Sequence, residues 1–94
     1  MKKIISGWGR NTASEANISF PKNLKELKKE IKKNCIARGL GRSYGDSSIQ
    51  PNKTIITTKL NNIINFNKKT GILEAECGVI IKELNNLIIN NGWF

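Results

Sequence analysis

The sequence predicts a small α+β fold, a small mixed sheet with two flanking helices. Three observations carry this. Leu24 to Ile31 and Ile80 to Asn90 repeat apolar residues at helical spacing. Short β-branched or alternating runs stand between and after them, at Cys35–Ala37, Thr54–Thr58, Ile64–Phe66 and Ile72–Cys77. The first of these runs feeds a glycine-rich segment that reads as a loop. At 94 residues the chain has room for one small domain at most.

In chain order, Met1-Lys2-Lys3-Ile4-Ile5 is basic and then briefly apolar. It stops at Ser6-Gly7, far short of a signal-peptide core or a membrane span. Ser6-Gly7-Trp8-Gly9-Arg10 reads as a loop whose indole anchors on a neighbour, and no chemistry is assigned to Trp8. Asn11 to Ser19 is polar and reads as irregular. Phe20-Pro21 then leads into a helix with Asn23 as N-cap and Glu26 placed as in a capping box. Leu24, Leu27 and Ile31 share one face, and Lys28, Lys29, Lys32 and Lys33 lie off it, the last two at the helix C-terminus. That lysine face could touch RNA, but solvation explains it more simply. Asn34 ends the helix.

Pro51-Asn52-Lys53 reads as a turn before the strand Thr54–Thr58. Ile64 and Phe66 alternate with asparagines, Asn67-Lys68-Lys69-Thr70-Gly71 turns the chain, and Ile72–Cys77 returns as the hairpin partner. Glu74 and Glu76 suggest a carboxylate pair for acid–base work, but two solvent-facing partners for nearby lysines are the simpler reading. Gly78 breaks the strand, the second helix carries Ile80, Ile81, Leu84, Leu87 and Ile88 on one stripe, and Gly92 suits its C′ position. Trp93-Phe94 follow with nothing beyond them, which reads as an interrupted domain.

The net charge is +9, from 16 basic and 7 acidic residues, with no histidine. Such a balance suits nucleic acid, an acidic membrane surface or a phosphorylated ligand. The lysines are spread along the chain beside abundant asparagine and isoleucine, as AT-rich coding also produces, so composition decides little. Cys35 and Cys77 make no disulfide framework and read as free thiols in a reduced, cytoplasmic setting. Without histidine or a C-x-x-C spacing, zinc is not expected.

The chemistry concentrates in Ala37-Arg38-Gly39-Leu40-Gly41-Arg42-Ser43-Tyr44-Gly45-Asp46-Ser47. Glycines let the backbone expose successive N–H groups to an anion, Arg38 and Arg42 add positive charge, and the Ser43 hydroxyl adds a neutral donor. The natural guest is a phosphate or pyrophosphate. The bland alternative is a solvated turn. No Gly-Lys-Ser/Thr follows at P-loop spacing, and no G-x-G-x-x-G opens a helix. A phosphate bound here sits on a loop after a strand.

This string resembles the first flavin loop of the vanillyl-alcohol-oxidase-like, FAD-linked oxidases, in the branch of decaprenylphosphoryl-ribose, aldonolactone and sugar oxidases. Trp8-Gly9-Arg10 and a Gly-Trp pair at Gly92-Trp93 match the same branch in the same order. The resemblance implies an incomplete PCMH-type FAD-binding domain. Residues 1–94 would be its N-terminal part, without the second flavin segment and the substrate domain. It implies FAD as cofactor, wrapped at its pyrophosphate by Ala37 through Ser47, with Arg42 and Ser43 as leading side chains and Asp46 bracing the turn or meeting a hydroxyl. It also implies hydride transfer to flavin from a sugar, sugar-alcohol or lactone hydroxyl, with no catalytic residue in this chain. Many members attach FAD through a histidine after the second glycine; Arg42 stands there, so non-covalent FAD is expected. No nucleic-acid partner is expected, and the alternative from another class is a small basic nucleic-acid-binding or structural module.

Overall fold

The structure, a computed structural model, describes residues 1–10 and 12–94. Two compact units divide the chain, Met1–Lys59 and Leu60–Phe94.

The first unit holds β1 (Lys2–Ser6), β2 (Ala13–Ser19), α1 (Leu24–Glu30), β3 (Ile36–Arg38) and β4 (Thr54–Ile56). They form one mixed sheet in the order β1-β2-β4-β3. β1 and β2 are antiparallel, from Lys2 opposite Asn17 to Ser6 opposite Ala13, whereas β4 runs parallel to both β2 and β3. The expected irregular stretch is therefore a strand over Ala13–Ser19, while Asn11 lies outside the described residues. Its two inward positions, Ala16 and Ile18, are buried, and its polar neighbours lie at the alternate positions. Ladder pairing with β1 overrides the weak strand propensity of a polar run. Ile49 and Ile55 complete the buried apolar set of this unit.

β4 is the central parallel strand and starts at Thr54, which is fully buried. The Thr54 hydroxyl donates to the Gln50 carbonyl at 2.9 Å and accepts from the Gln50 N–H at 2.9 Å. This pair of bonds satisfies a buried hydroxyl and closes the chain just before the strand.

α1 starts as expected. Asn23 Oδ1 accepts the Glu26 N–H at 2.9 Å, and the Glu26 carboxylate reaches back to the Lys22 N–H at 2.7 Å, one residue short of a strict capping box. The helix ends at Glu30, where Ile31 turns extended with ψ 117°, so Lys32 and Lys33 lie beyond it and Lys28 and Lys29 occupy its last turn. Asn34 takes a left-handed φ of 56°, a conformation asparagine tolerates, just before β3. Lys53 pairs with Glu30 at 2.8 Å and ties the start of β4 to the end of α1.

The second unit holds β5 (Ile63–Phe66), β6 (Leu73–Ala75) and α2 (Ile81–Asn90). β5 and β6 form a separate two-stranded antiparallel sheet, with a register shift between Ile63 and Asn65. Glu76 is not a solvent-facing lysine partner. Its Oε1 accepts the backbone N–H and side-chain amide of Asn62 at 3.0 and 2.6 Å, and it staples the open end of the hairpin. Glu74 is exposed. α2 ends in a Schellman motif: Gly92, at φ 83°, donates to Ile89, and Trp93 donates to Ile88. Trp93 is no loose end. Its indole N–H donates to the Lys68 carbonyl at 2.8 Å and its ring covers Gly71. No helix of the described residues is long and apolar enough to cross a membrane.

Candidate functional site

The site begins where β3 leaves the sheet. The Arg38 carbonyl is its last anchored group, accepting the N–H and hydroxyl of Thr57 at 2.9 and 3.3 Å. Beyond it the backbone N–H groups of Gly39, Leu40, Gly41, Arg42 and Ser43 meet no acceptor among the described residues. The chain then turns back through hydrogen bonds from Ser47 to Tyr44 at 3.4 Å and from Ile49 to Asp46 at 3.0 Å. Ser48 and Ile49 are buried and hold that turn to the sheet. An anchored base and an open run of donors make a loop that can receive an anion without unfolding anything.

Gly41 has a structural reason to be glycine. Its φ is +75°, and a Cβ there would run into the Arg38 guanidinium. That guanidinium is held beneath the loop, donating from Nη2 to the Ser6 carbonyl at 2.7 Å and from Nη1 to Ser48 Oγ at 3.3 Å. Arg38 therefore braces the loop from within, which sequence reasoning did not anticipate.

The tip of the β1–β2 hairpin docks on the same loop. The Trp8 N–H donates to the Ser43 carbonyl at 2.7 Å, and Trp8 forms a parallel bridge with Tyr44. Gly7 is buried, and a Cβ on it would strike the Gly45 carbonyl. The two segments thus share one open cleft of about 520 Å³, lined by Ser6 through Arg10 on one side and by Arg38, Leu40, Gly41 and Arg42 on the other.

Of the residues expected at the site, Arg38, Leu40, Gly41 and Arg42 line this cleft. Ala37, Gly39, Ser43, Tyr44, Asp46 and Ser47 are exposed beside it, and Gly45 packs against Gly7. The Asp46 carboxylate makes no hydrogen bond among the described residues; its backbone carbonyl is what braces the turn. Trp8, Gly9 and Arg10 also line the cleft, which the sequence reading did not expect, although the Gly-Trp-Gly-Arg string repeats the glycine-and-arginine composition of the loop. The guanidinium groups of Arg10 and Arg42 have no hydrogen-bond or ion-pair partner among the described residues, and no acidic residue lines the cleft.

This donor set fits a polyanion. A run of free N–H groups and two unpaired guanidinium groups match the oxygens of a diphosphate, and a glycine at positive φ allows close approach. No group of acidic, cysteine or histidine residues among those described could hold a metal ion.

The comparisons with known proteins agree with this chemistry. A family model of the FAD binding domain matches residues 17–94, more than half the chain, so the chain belongs to that family and its cofactor is FAD. With no histidine in the sequence, no histidyl bond to flavin forms within this chain. It is also similar to the decaprenylphosphoryl-beta-D-ribose oxidase of Mycolicibacterium smegmatis, at 26% identity over 98 aligned residues that cover 96% of this chain. The chain spans about a fifth of that relative's length, 21%. The resemblance of the chain to the FAD-linked oxidases is thereby borne out.

Proposed function

We propose that this chain forms the first part of the FAD-binding domain of an FAD-dependent oxidoreductase, and that the loop from Ala37 to Ser47 holds the FAD pyrophosphate. The observation that carries the reading is the uninterrupted run of backbone N–H groups from Gly39 to Ser43, without an acceptor among the described residues, at the end of an anchored strand. The backbone binds the phosphate oxygens, Arg42 supplies a charge-assisted contact, and the Ser43 hydroxyl meets a phosphate or ribityl oxygen. Asp46, which carries the wrong charge for phosphate, meets a hydroxyl. When bound, FAD would supply the redox chemistry as the hydride acceptor.

The substrate class is a sugar, sugar-alcohol or lactone hydroxyl. Its support is the relative, whose name describes an oxidase of a lipid-linked ribose. The catalytic base, the second flavin segment and the substrate domain fall to parts of the protein outside these residues. Alone, the chain binds FAD weakly and oxidises nothing. The setting is cytoplasmic, a reading supported by two free cysteines. Nucleic acid is no partner; RNA binding with a steep salt dependence that FAD binding lacks would overturn that statement.

Titrating FAD into the purified chain tests the loop. Weak quenching of flavin fluorescence that disappears in Gly39→Ala and Gly41→Ala agrees with the reading. Tight binding contradicts weak binding by the chain alone, and ligand binding indifferent to both substitutions removes the loop from the site.

A further inference from the structure

We propose that the tip of the β1–β2 hairpin is the second wall of the diphosphate site, and that Arg10 and Arg42 contact the same diphosphate from opposite sides of the cleft. The inference rests on the reading that the glycine loop holds the FAD pyrophosphate, and it adds a ligand-binding residue outside that loop. The family model's match begins at residue 17, so the hairpin tip lies outside it.

Three observations carry it. First, the tip is fixed to the loop by its backbone, through the Trp8 N–H on the Ser43 carbonyl at 2.7 Å and by Gly7 packed against Gly45. Second, Arg38 locks the same two segments together from below, bonding the Ser6 carbonyl and Ser48 Oγ. Its cationic head is thereby used within the fold, which leaves Arg10 and Arg42 as the cleft-lining cations whose guanidinium groups have no partner among the described residues. Third, the tip holds an unusual backbone to present Arg10. The Arg10 N–H donates to the Gly7 carbonyl at 3.1 Å in a turn with Gly9 at φ 86°, and Arg10 itself sits at φ 58°. A left-handed arginine is uncommon and persists where its surroundings over-determine it. Two cations lining one open cleft, beside a loop whose Gly39–Ser43 N–H groups meet no acceptor among the described residues, suit a ligand with charge on two linked phosphates better than a single phosphate.

The test follows amide and arginine side-chain NMR signals of the full chain during separate titrations with inorganic pyrophosphate, FAD and riboflavin. NMR reads weak binding, so the measurement does not depend on tight FAD affinity. Pyrophosphate and FAD are expected to shift Arg10 Nε together with the amides of Gly39–Ser43, and riboflavin, which lacks phosphate, is expected to shift none of them. Arg10→Gln is expected to weaken pyrophosphate and FAD about tenfold, the scale of one lost hydrogen bond from a charged group, with the Trp8 amide signal unmoved. If Arg10→Gln leaves both affinities intact while Arg42→Gln lowers them, the two-walled site is wrong and the glycine loop stands. If neither ligand shifts Gly39–Ser43, the loop reading falls and this inference falls with it.

Discussion

Two turns of this chain each press a glycine against a large side chain, and they end in opposite states. At Asn67–Gly71 the ring of Trp93 covers Gly71, and every backbone N–H from Lys69 to Ile72 is used: Lys69 and Thr70 donate to Asn67 Oδ1, Gly71 to the Asn67 carbonyl, and Ile72 to Thr70 Oγ1. At Gly39–Gly45 the Arg38 guanidinium underlies Gly41, yet the backbone N–H groups from Gly39 to Ser43 have no acceptor among the described residues. Glycine at positive φ is common to both. What separates a structural turn from a ligand cradle is whether the chain itself supplies the acceptors. Asn67 and Thr70 close the first with side-chain oxygens, whereas among the described residues no side-chain oxygen accepts from Gly39–Ser43 in the second.

The comparison can be broken at either turn. Gly41→Val puts a branched side chain at φ +75° and into the Arg38 guanidinium. We expect the largest effect here: loss of FAD binding by fluorescence titration, with a stability loss of about 1–3 kcal/mol from backbone strain. Gly71→Ala, at φ +77° with the Trp93 ring over it, should cost about 1–2 kcal/mol in urea unfolding and shift the Trp93 emission. Asn23→Ala removes the acceptor for the Glu26 N–H and should cost about 1 kcal/mol, read by the same unfolding curves with no change in FAD affinity.

The smallest effect concerns pH. The Lys53 ammonium, through its hydrogen bond, holds the Glu30 carboxyl below its ordinary value of 4.5. A carboxylate with a lowered folded value stabilises the fold above its unfolded value and loses that contribution as pH falls through the folded one. Both side chains remain partly exposed, so the contribution is small. Stability should dip slightly more steeply below pH 4.5 in the native chain than in Lys53→Gln, by thermal melts across acidic pH.

Local signals wrote some of this molecule plainly. The Asn23 cap, the Gly92 terminus and the Asn67–Gly71 turn each depend on one or two residues with a fixed conformational role, and all three stand where their residues place them. The glycine loop was legible for the same reason, helped by a long family string. β2 was not, because only Ala16 and Ile18 turn inward and its strand character comes from pairing with Lys2–Ser6. The end of α1 was misplaced because Ile31 continues the apolar spacing while its backbone has already become extended. That the hairpin tip meets the glycine loop was not legible, since the Trp8–Ser43 and Arg38–Ser6 contacts join segments distant along the chain. Nor does local pattern show that Arg38 is used inside the fold while Arg42 stays free.

The central claim is that free backbone donors, rather than glycine content, make the FAD site. The most direct test is amide hydrogen exchange of the chain with and without saturating FAD. The account predicts new protection at Gly39–Ser43 on FAD addition and unchanged exchange at Lys69–Ile72, where the donors are already bonded. Equal exchange at Gly39–Ser43 in both states, with FAD demonstrably bound, would contradict it.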